Sequence, residues 1–394
     1  MDRIDLDANA TTPVAPEVFE AMRPYFLQAH GNPSSAHAAG QRTRAAVDRA
    51  RQQVAKLLHC VTKEIIFTSG GTESDNLALR GVLEPFLDRR LDAHLVTTQI
   101  EHHAVLYAAE ALHRRRIGLT CVAPTRDGVI DPTAFEAALT PKTVLVSIML
   151  ANNETGAIQP VGKLARIAKQ YNPAILVHTD AVQAAGKLPL DMSGEFKNVD
   201  LLSLSGHKLY GPQGTGVLFA REGLHLAPLF HGGPHERQRR AGTENVAGIV
   251  GLGKAAELAA EWLSDVSRIS HLESLRNRLE QGVLAALPGT IVNAASAPRV
   301  ANTTNLQFPG VDAESLLIAL DLAGINASFG AACQSGATEP SHVLLAMGLT
   351  DAEARSSLRF SLSRYTTSED IDRALTIIAA AVRRQRSLSP ALTR

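Results

Sequence analysis

The chain has 394 residues, enough for two or three domains and a sizeable core. Hydrophobic residues make up 45% and charged residues 20%, as in an ordinary globular protein, and Lys+Arg balance Asp+Glu at 39 each, which removes any bulk electrostatic case for nucleic acid or an anionic membrane. Three cysteines (Cys60, Cys121, Cys333) make no disulfide framework and show no Cys-x-x-Cys metal spacing, the N-terminus carries acids in place of an apolar signal core, and no apolar run nears the roughly 20 residues a membrane span needs, so a reducing, cytoplasmic setting is expected.

Apolar blocks alternate with amphipathic ones along the first part of the chain. Residues 65–68, 94–98, 143–150, 174–179, 199–204 and 216–220 read as short buried strands, and their continuous apolar character suits a sheet covered on both faces. Helical patterns lie between them, such as Val161, Leu164, Ile167, Ala168 and Tyr171 at spacings of three and four. The alternation predicts an α/β unit with a mostly parallel sheet. From about 244 to 287 the strands stop. Ile269, Leu272, Leu275, Leu279 and Val283 form a helical stripe that Pro288-Gly289 ends. The change of domain is placed here, giving a large domain over 16–260 and a small one over 261–394. Residues 1–15 are expected to pack with the small domain. The small domain mixes strand-like pieces (304–308, 357–362) with helices (312–323, 369–384), and residues 387–394 read as a frayed tail.

Several segments carry chemistry. Ser69-Gly70-Gly71-Thr72-Glu73-Ser74 follows a strand and opens a helix, where free N–H groups and the helix dipole suit an anion; a plain tight turn is the alternative. Glu101-His102-His103 follows another strand. A histidine there can stack on a ring and move protons, whereas a metal is disfavoured because neighbouring helix residues do not share a face. Asp180 ends a strand within His178-Thr179-Asp180-Ala181-Val182-Gln183. A carboxylate at that end of an open α/β sheet faces the ligand crevice and can hold a protonated pyridine nitrogen; a helix N-cap is the plain alternative. Lys208 sits in Ser205-Gly206-His207-Lys208-Leu209-Tyr210-Gly211, just after a strand-like run. A lysine amine attacks an aldehyde only when unprotonated, which burial and nearby cations promote. Ser205 and His207 can hold a phosphate, and the aldehyde that carries one is pyridoxal 5′-phosphate (PLP). With Asp180 only 28 residues upstream, a PLP site leads.

Arg237-Gln238-Arg239-Arg240 is the one basic cluster, by default a solvated loop. Cys333 lies in the small-residue segment Ser328-Phe329-Gly330-Ala331-Ala332-Cys333-Gln334-Ser335-Gly336, where a loop thiol can reach a substrate as a nucleophile. Cys60 and Cys121 sit beside apolar residues and read as packing. Arg359, inside a strand-like run, suits either a bidentate carboxylate contact or an ordinary salt bridge.

In order, these segments resemble the cysteine desulfurases of the NifS/IscS type, PLP enzymes of the class V aminotransferase family. The resemblance runs from Asp5-Ala8-Thr11-Thr12-Pro13 to Arg364-Thr366-Thr367. It includes Gly31-Asn32-Pro33-Ser34-Ser35, Asn152-Asn153-Glu154-Thr155-Gly156, Arg240-Ala241-Gly242-Thr243-Glu244-Asn245 and Glu339-Pro340-Ser341-His342-Val343-Leu344. It implies the aspartate-aminotransferase-like fold type I, a large α/β domain with a smaller α+β one. It implies that Lys208 is the Schiff-base lysine and proton shuttle, that Asp180 meets the pyridine nitrogen and Gln183 the ring hydroxyl oxygen, and that His102 stacks on the ring. Gly71, Thr72, Ser205 and His207 match the phosphate cradle, and Thr243 a phosphate ligand given across a homodimer. Asn153 and Arg359 match contacts to the substrate carboxylate, and Cys333 the nucleophile that keeps the sulfur of L-cysteine as a persulfide for a sulfur acceptor, such as an iron–sulfur scaffold. No metal is implied.

Two features depart from the family. Phe329 and Ala331 stand where the longer-loop branch has serines, and residues 387–394 do not resemble the IscS-type end that docks a scaffold. A selenocysteine lyase or another class V enzyme is the alternative. A non-catalytic scaffold is disfavoured because both Lys208 and Cys333 are present, and a dinucleotide oxidoreductase because its glycine fingerprint is missing.

Overall fold

The computed structural model describes residues 3–329 and 339–388. In chain order its strands and helices begin with β1 (Ile4–Asp5), α1 (Pro16–Leu27), α2 (Ala38–Leu57), β2 (Ile65–Thr68), α3 (Gly71–Asp88), β3 (His94–Thr98), α4 (His103–Arg114), β4 (Gly118–Val122), α5 (Pro132–Ala137), β5 (Thr143–Ser147), α6 (Val161–Tyr171), β6 (Leu176–Asp180), β7 (Leu201–Ser205) and β8 (Gly216–Ala220). There follow α7 (Val246–Leu263), α8 (Val266–Ala286), β9 (Ile291–Asn293), β10 (Thr303–Gln307), α9 (Ala313–Leu322), β11 (Ile325–Asn326), α10 (His342–Ala346), α11 (Asp351–Arg355), β12 (Ser357–Ser361) and α12 (Ser368–Leu388).

Seven strands form one sheet in the order β2-β8-β7-β6-β5-β3-β4, in which only β8 runs antiparallel to its neighbours. The apolar runs explain it. Alternate residues of a strand point to opposite faces, so a strand buried on both sides must be apolar throughout. Ile65, Phe67, Val96, Val177 and Leu202 pack on one side, against α2, α6 and α7. Ile66, Leu95, Leu145, Leu201 and Leu218 pack on the other, against α3 and α4. The strands predicted at 65–68, 94–98 and 216–220 have the observed bounds. β4 was not predicted. It lies at the sheet edge with only Val122 buried, so its sequence lacks the continuous apolar signal.

A separate core surrounds the antiparallel sheet β9-β10-β12 and gathers α8, α9 and α12. Ile4 and Leu6 belong to this core, and β1 pairs in parallel with β11. α7 packs on α1 and α2, whereas α8 packs on α12, so the chain changes cores at Ser264 and Asp265. α12 continues through Ser387 and Leu388, which the sequence had placed in a frayed tail. Among the described residues no helix is long and apolar enough to cross a membrane.

The strand order reverses between β3 and β5, and the carboxyl ends of β3, β5, β6 and β7 open on the same side. In an open α/β sheet the ligand crevice forms there. The first residues after those strands therefore face that crevice.

Candidate active site

A cavity of about 270 Å³ lies at those strand ends. Gly71, Thr72, His102, Asn153, Asp180, Gln183, Ser205, His207, Lys208 and Arg359 all line it, so ten residues picked from sequence meet in one place. Thr243 does not; it is exposed and outside this cavity. Cys333 lies outside the described residues.

Lys208 ends a short 3-10 turn that follows β7. The turn is tight because Gly206 has no side chain: a Cβ there would sit 2.4 Å from Thr215 Oγ1. The Lys208 amine donates to the carbonyls of Asn9 and Ala10. Burial, then the Arg359 charge, pulls its pKa down to about 8, with Asp7 and Asp180 acting the other way.

Asp180 is the last residue of β6 and is buried. One carboxyl oxygen accepts the Val182 N–H at 2.8 Å. Burial raises its pKa to about 6, against the pull of that N–H and of Lys208. A cation beside it would favour the carboxylate.

His102 caps α4, its Nδ1 accepting the Ala104 N–H at 3.1 Å. Burial, then the nearby His103, Lys208 and His342, lowers its pKa to about 4, so the ring is neutral with its proton on Nε2. Beneath it the buried Glu101 accepts from Thr98 Oγ1 and Met149 N, both at 2.8 Å, and burial lifts its pKa to about 8. His103 and His342 sit at the rim with ring centroids 4.6 Å apart. Among the described residues no group of three ligands could hold a metal.

The anion end is the start of α3. A Cβ on Gly71 would lie 2.8 Å from Val182 Cγ2, so glycine lets the helix N-terminus come close to the β6 end. Ser205 ends β7 beside it, and His207 Nδ1 lies 3.1 Å from Thr11 Oγ1. Burial, then Lys208, lowers the His207 pKa to about 4. Glu73, in the same first turn, accepts the Ser69 N–H and pairs with Arg240 at 2.9 Å. The basic cluster is thus not merely solvated: Arg237 and Arg239 donate to the Lys63 carbonyl, and Arg240 braces the α3 N-terminus.

At the other end Arg359 projects from β12 and is only 2% exposed. It donates to the Asn153 carbonyl at 2.9 Å and to Asp7 at 2.7 Å. Arg359 therefore holds an ordinary salt bridge while lining the cavity. Sequence reasoning gave no role to Asp7, Asn9, Asp75, Glu154 or Lys187. Glu154 stood in a quoted motif, and its buried carboxylate accepts from the Ser341 hydroxyl that caps α10. Asn9 stood inside another and binds four segments at once, a convergence that a local pattern does not carry.

An amine, a buried carboxylate, a histidine of lowered pKa and a helix N-terminus thus surround one crevice. The chain belongs to the class V aminotransferase family, whose model matches residues 4–374. It is 47% identical over 390 residues to "Cysteine desulfurase 2" of Trichormus variabilis, covering 99% of this chain and 96% of the relative. It is 46% identical over 385 residues to "Cysteine desulfurase IscS" of Methanosarcina thermophila, covering 98% and 93%. Among solved structures it resembles a "NIFS-like protein" with a TM-score of 0.88 at 38% identity, covering 96% of this chain and 98% of that one. A structure described as "SspA in complex with cysteine" matches with a TM-score of 0.77 at 33% identity, covering 92% and 99%.

Proposed function

We propose that this pocket binds PLP and that the protein is a cysteine desulfurase, taking the sulfur of L-cysteine and releasing L-alanine. The observation that carries the reading is the meeting of Lys208, Asp180 and His102 in one cavity with the α3 N-terminus. The donor set fits the group. Gly71 lets the head of an 18-residue helix approach the β6 end, and its N–H groups, with Ser205 and His207 beside them, suit a phosphate. Asp180 suits a protonated ring nitrogen, and the His102 face suits the ring itself. When bound, PLP supplies an aldehyde for an amine and a ring that accepts the electrons left on the substrate Cα.

The chain supplies the rest. The carboxylate of cysteine binds at Arg359 and Asn153, which turns its Cα proton toward Lys208. A pKa of about 8 leaves Lys208 roughly one-tenth unprotonated at pH 7, enough to act as a base yet close enough to neutrality to return the proton. His102, neutral and carrying a proton on Nε2, can give it to a departing group. The Cys333 thiolate attacks the substrate sulfur, the C–S bond breaks with its electron pair going to carbon, and alanine forms on protonation. The sulfur stays on Cys333 as a persulfide until an acceptor, such as an iron–sulfur scaffold protein, collects it. The cytoplasm is the setting in which such a thiol stays reduced.

The direct test supplies PLP-loaded protein with L-cysteine and a thiol reductant. Alanine and sulfide should appear in equal amounts. Turnover of selenocysteine alone, or none of cysteine, would contradict the reading.

The family resemblance assigns Thr243 to the phosphate site of a second copy, with a homodimer as the working unit, and its exposed place outside its own chain's cavity leaves it available for that. Lys208→Ala and Thr243→Ala proteins, each weak alone, should regain activity when dissociated and mixed, because some mixed dimers hold one intact site. A fully active monomer in sedimentation would rule this out.

A further inference from the structure

Lys187 lies one turn beyond Gln183, and the desulfuration chemistry above does not use it. Its amine donates to Gln183 Oε1 at 2.7 Å and to Asn9 Oδ1 at 2.8 Å. It forms no ion pair with a carboxylate among the described residues, so its amine is held by two neutral amides.

A lysine amine offers donors, whereas an amide offers an oxygen on one side and an NH2 on the other, with nearly the same shape. Either amide, if turned over, would set N–H against N–H. Lys187 therefore favours the observed orientation of both amides, together with Asn302 Nδ2, which donates to Asn9 Oδ1 at 3.1 Å, and the Asn9 carbonyl, which accepts from Gln183 Nε2. With its oxygen toward Lys187, Gln183 turns Nε2 to the Asn9 carbonyl at 2.8 Å, which uses one of its two N–H groups and leaves the other for the cavity that Gln183 lines. With its oxygen toward Lys187, Asn9 turns Nδ2 to Thr303 Oγ1 at 2.9 Å and to the Asn153 carbonyl at 3.1 Å. That same carbonyl receives Arg359 at 2.9 Å. The amine thus joins a run of contacts reaching from Gln183 to the Asn153 carbonyl and Arg359.

We propose that Lys187 is a positioning residue that locks the Gln183 amide with its NH2 toward the cavity, so that Gln183 presents a donor to the ring oxygen of bound PLP. The inference rests on the PLP reading of the site. Burial, with Lys208 and Arg359 close by, pulls the Lys187 pKa well below the ordinary lysine value; an uncharged amine keeps two N–H groups for these two oxygens, and although its single lone pair could accept from one turned amide, a turned Gln183 would set its oxygen against the Asn9 carbonyl.

A double-mutant cycle tests it, with PLP affinity of the stripped protein and the position of the visible band as readouts. Gln183→Ala and Lys187→Met should each weaken PLP binding by ~10-fold, about the worth of one hydrogen bond. If Lys187 acts through Gln183, the double variant should also be ~10-fold weaker, and both single variants should shift the band alike. Additive losses of ~100-fold, or a Lys187→Met protein with wild-type affinity and band, would overturn the inference while leaving the PLP reading intact. A wild type that takes up no PLP would overturn that reading, and this inference with it. Should Lys187→Met not fold, Lys187→Gln carries the same cycle. It offers an amide that can itself turn over, so it is expected to weaken binding by less than ~10-fold and to lose that effect when Gln183 is absent.

Discussion

Lys208→Ala lowers sulfide release from cysteine by ~10⁴-fold or more, because one side chain serves as both the attachment point and the base, and losing a positioned acid–base group alone costs 10²–10⁴-fold. The fold should survive. The amine's partners are two main-chain carbonyls, of Asn9 and Ala10, and the Asn9 carbonyl keeps the Gln183 N–H. The variant should also still take up PLP, since the α3 N-terminus and Asp180 remain, but should release it to dialysis far more readily. Retained turnover with PLP still bound would mean that another amine does the work. Lys187 is the nearest alternative, and its amine is already committed to Asn9 and Gln183.

Cys333→Ala separates PLP binding from sulfur transfer. The visible band and its response to cysteine should persist while alanine and sulfide production falls by ~10²-fold or more. Cys60→Ala and Cys121→Ala should change the rate little. Burial, reinforced by Glu64, pushes the Cys60 thiol up to about 12, and burial with Glu101 and Glu110 nearby also raises that of Cys121. Both shifts disfavour the thiolate needed for attack. Cys333 lies outside the described residues, so its assignment stands on its segment and on the family resemblance. Wild-type rates of alanine release from Cys333→Ala would favour a lyase that forms no protein persulfide.

The central sheet was legible because burial on both faces writes itself into the sequence as unbroken apolar runs. β4 was not, since four of its five residues are only half-buried at an edge. The cavity was legible for a related reason. Short loops at the carboxyl ends of parallel strands converge, so Asp180 and Lys208 could be joined from their places after strands, and the family resemblance added Gly71 and His102. What stayed hidden were contacts closed over long stretches of chain. Asn9 meets Lys187 across 178 residues and Gln183 across 174, and Asp7 meets Arg359 across 352. No periodicity or spacing encodes such pairs; they exist only once the N-terminal segment crosses between the two cores.

The central claim is that Lys208 carries the cofactor. Borohydride reduction of the yellow, PLP-loaded protein, followed by proteolysis and mass spectrometry, fixes the pyridoxyl group to whichever amine held it. The label should map to the peptide containing Lys208 in near-stoichiometric yield and be absent from Lys208→Ala. Label on Lys187 or any other lysine, or none at all, would contradict the account.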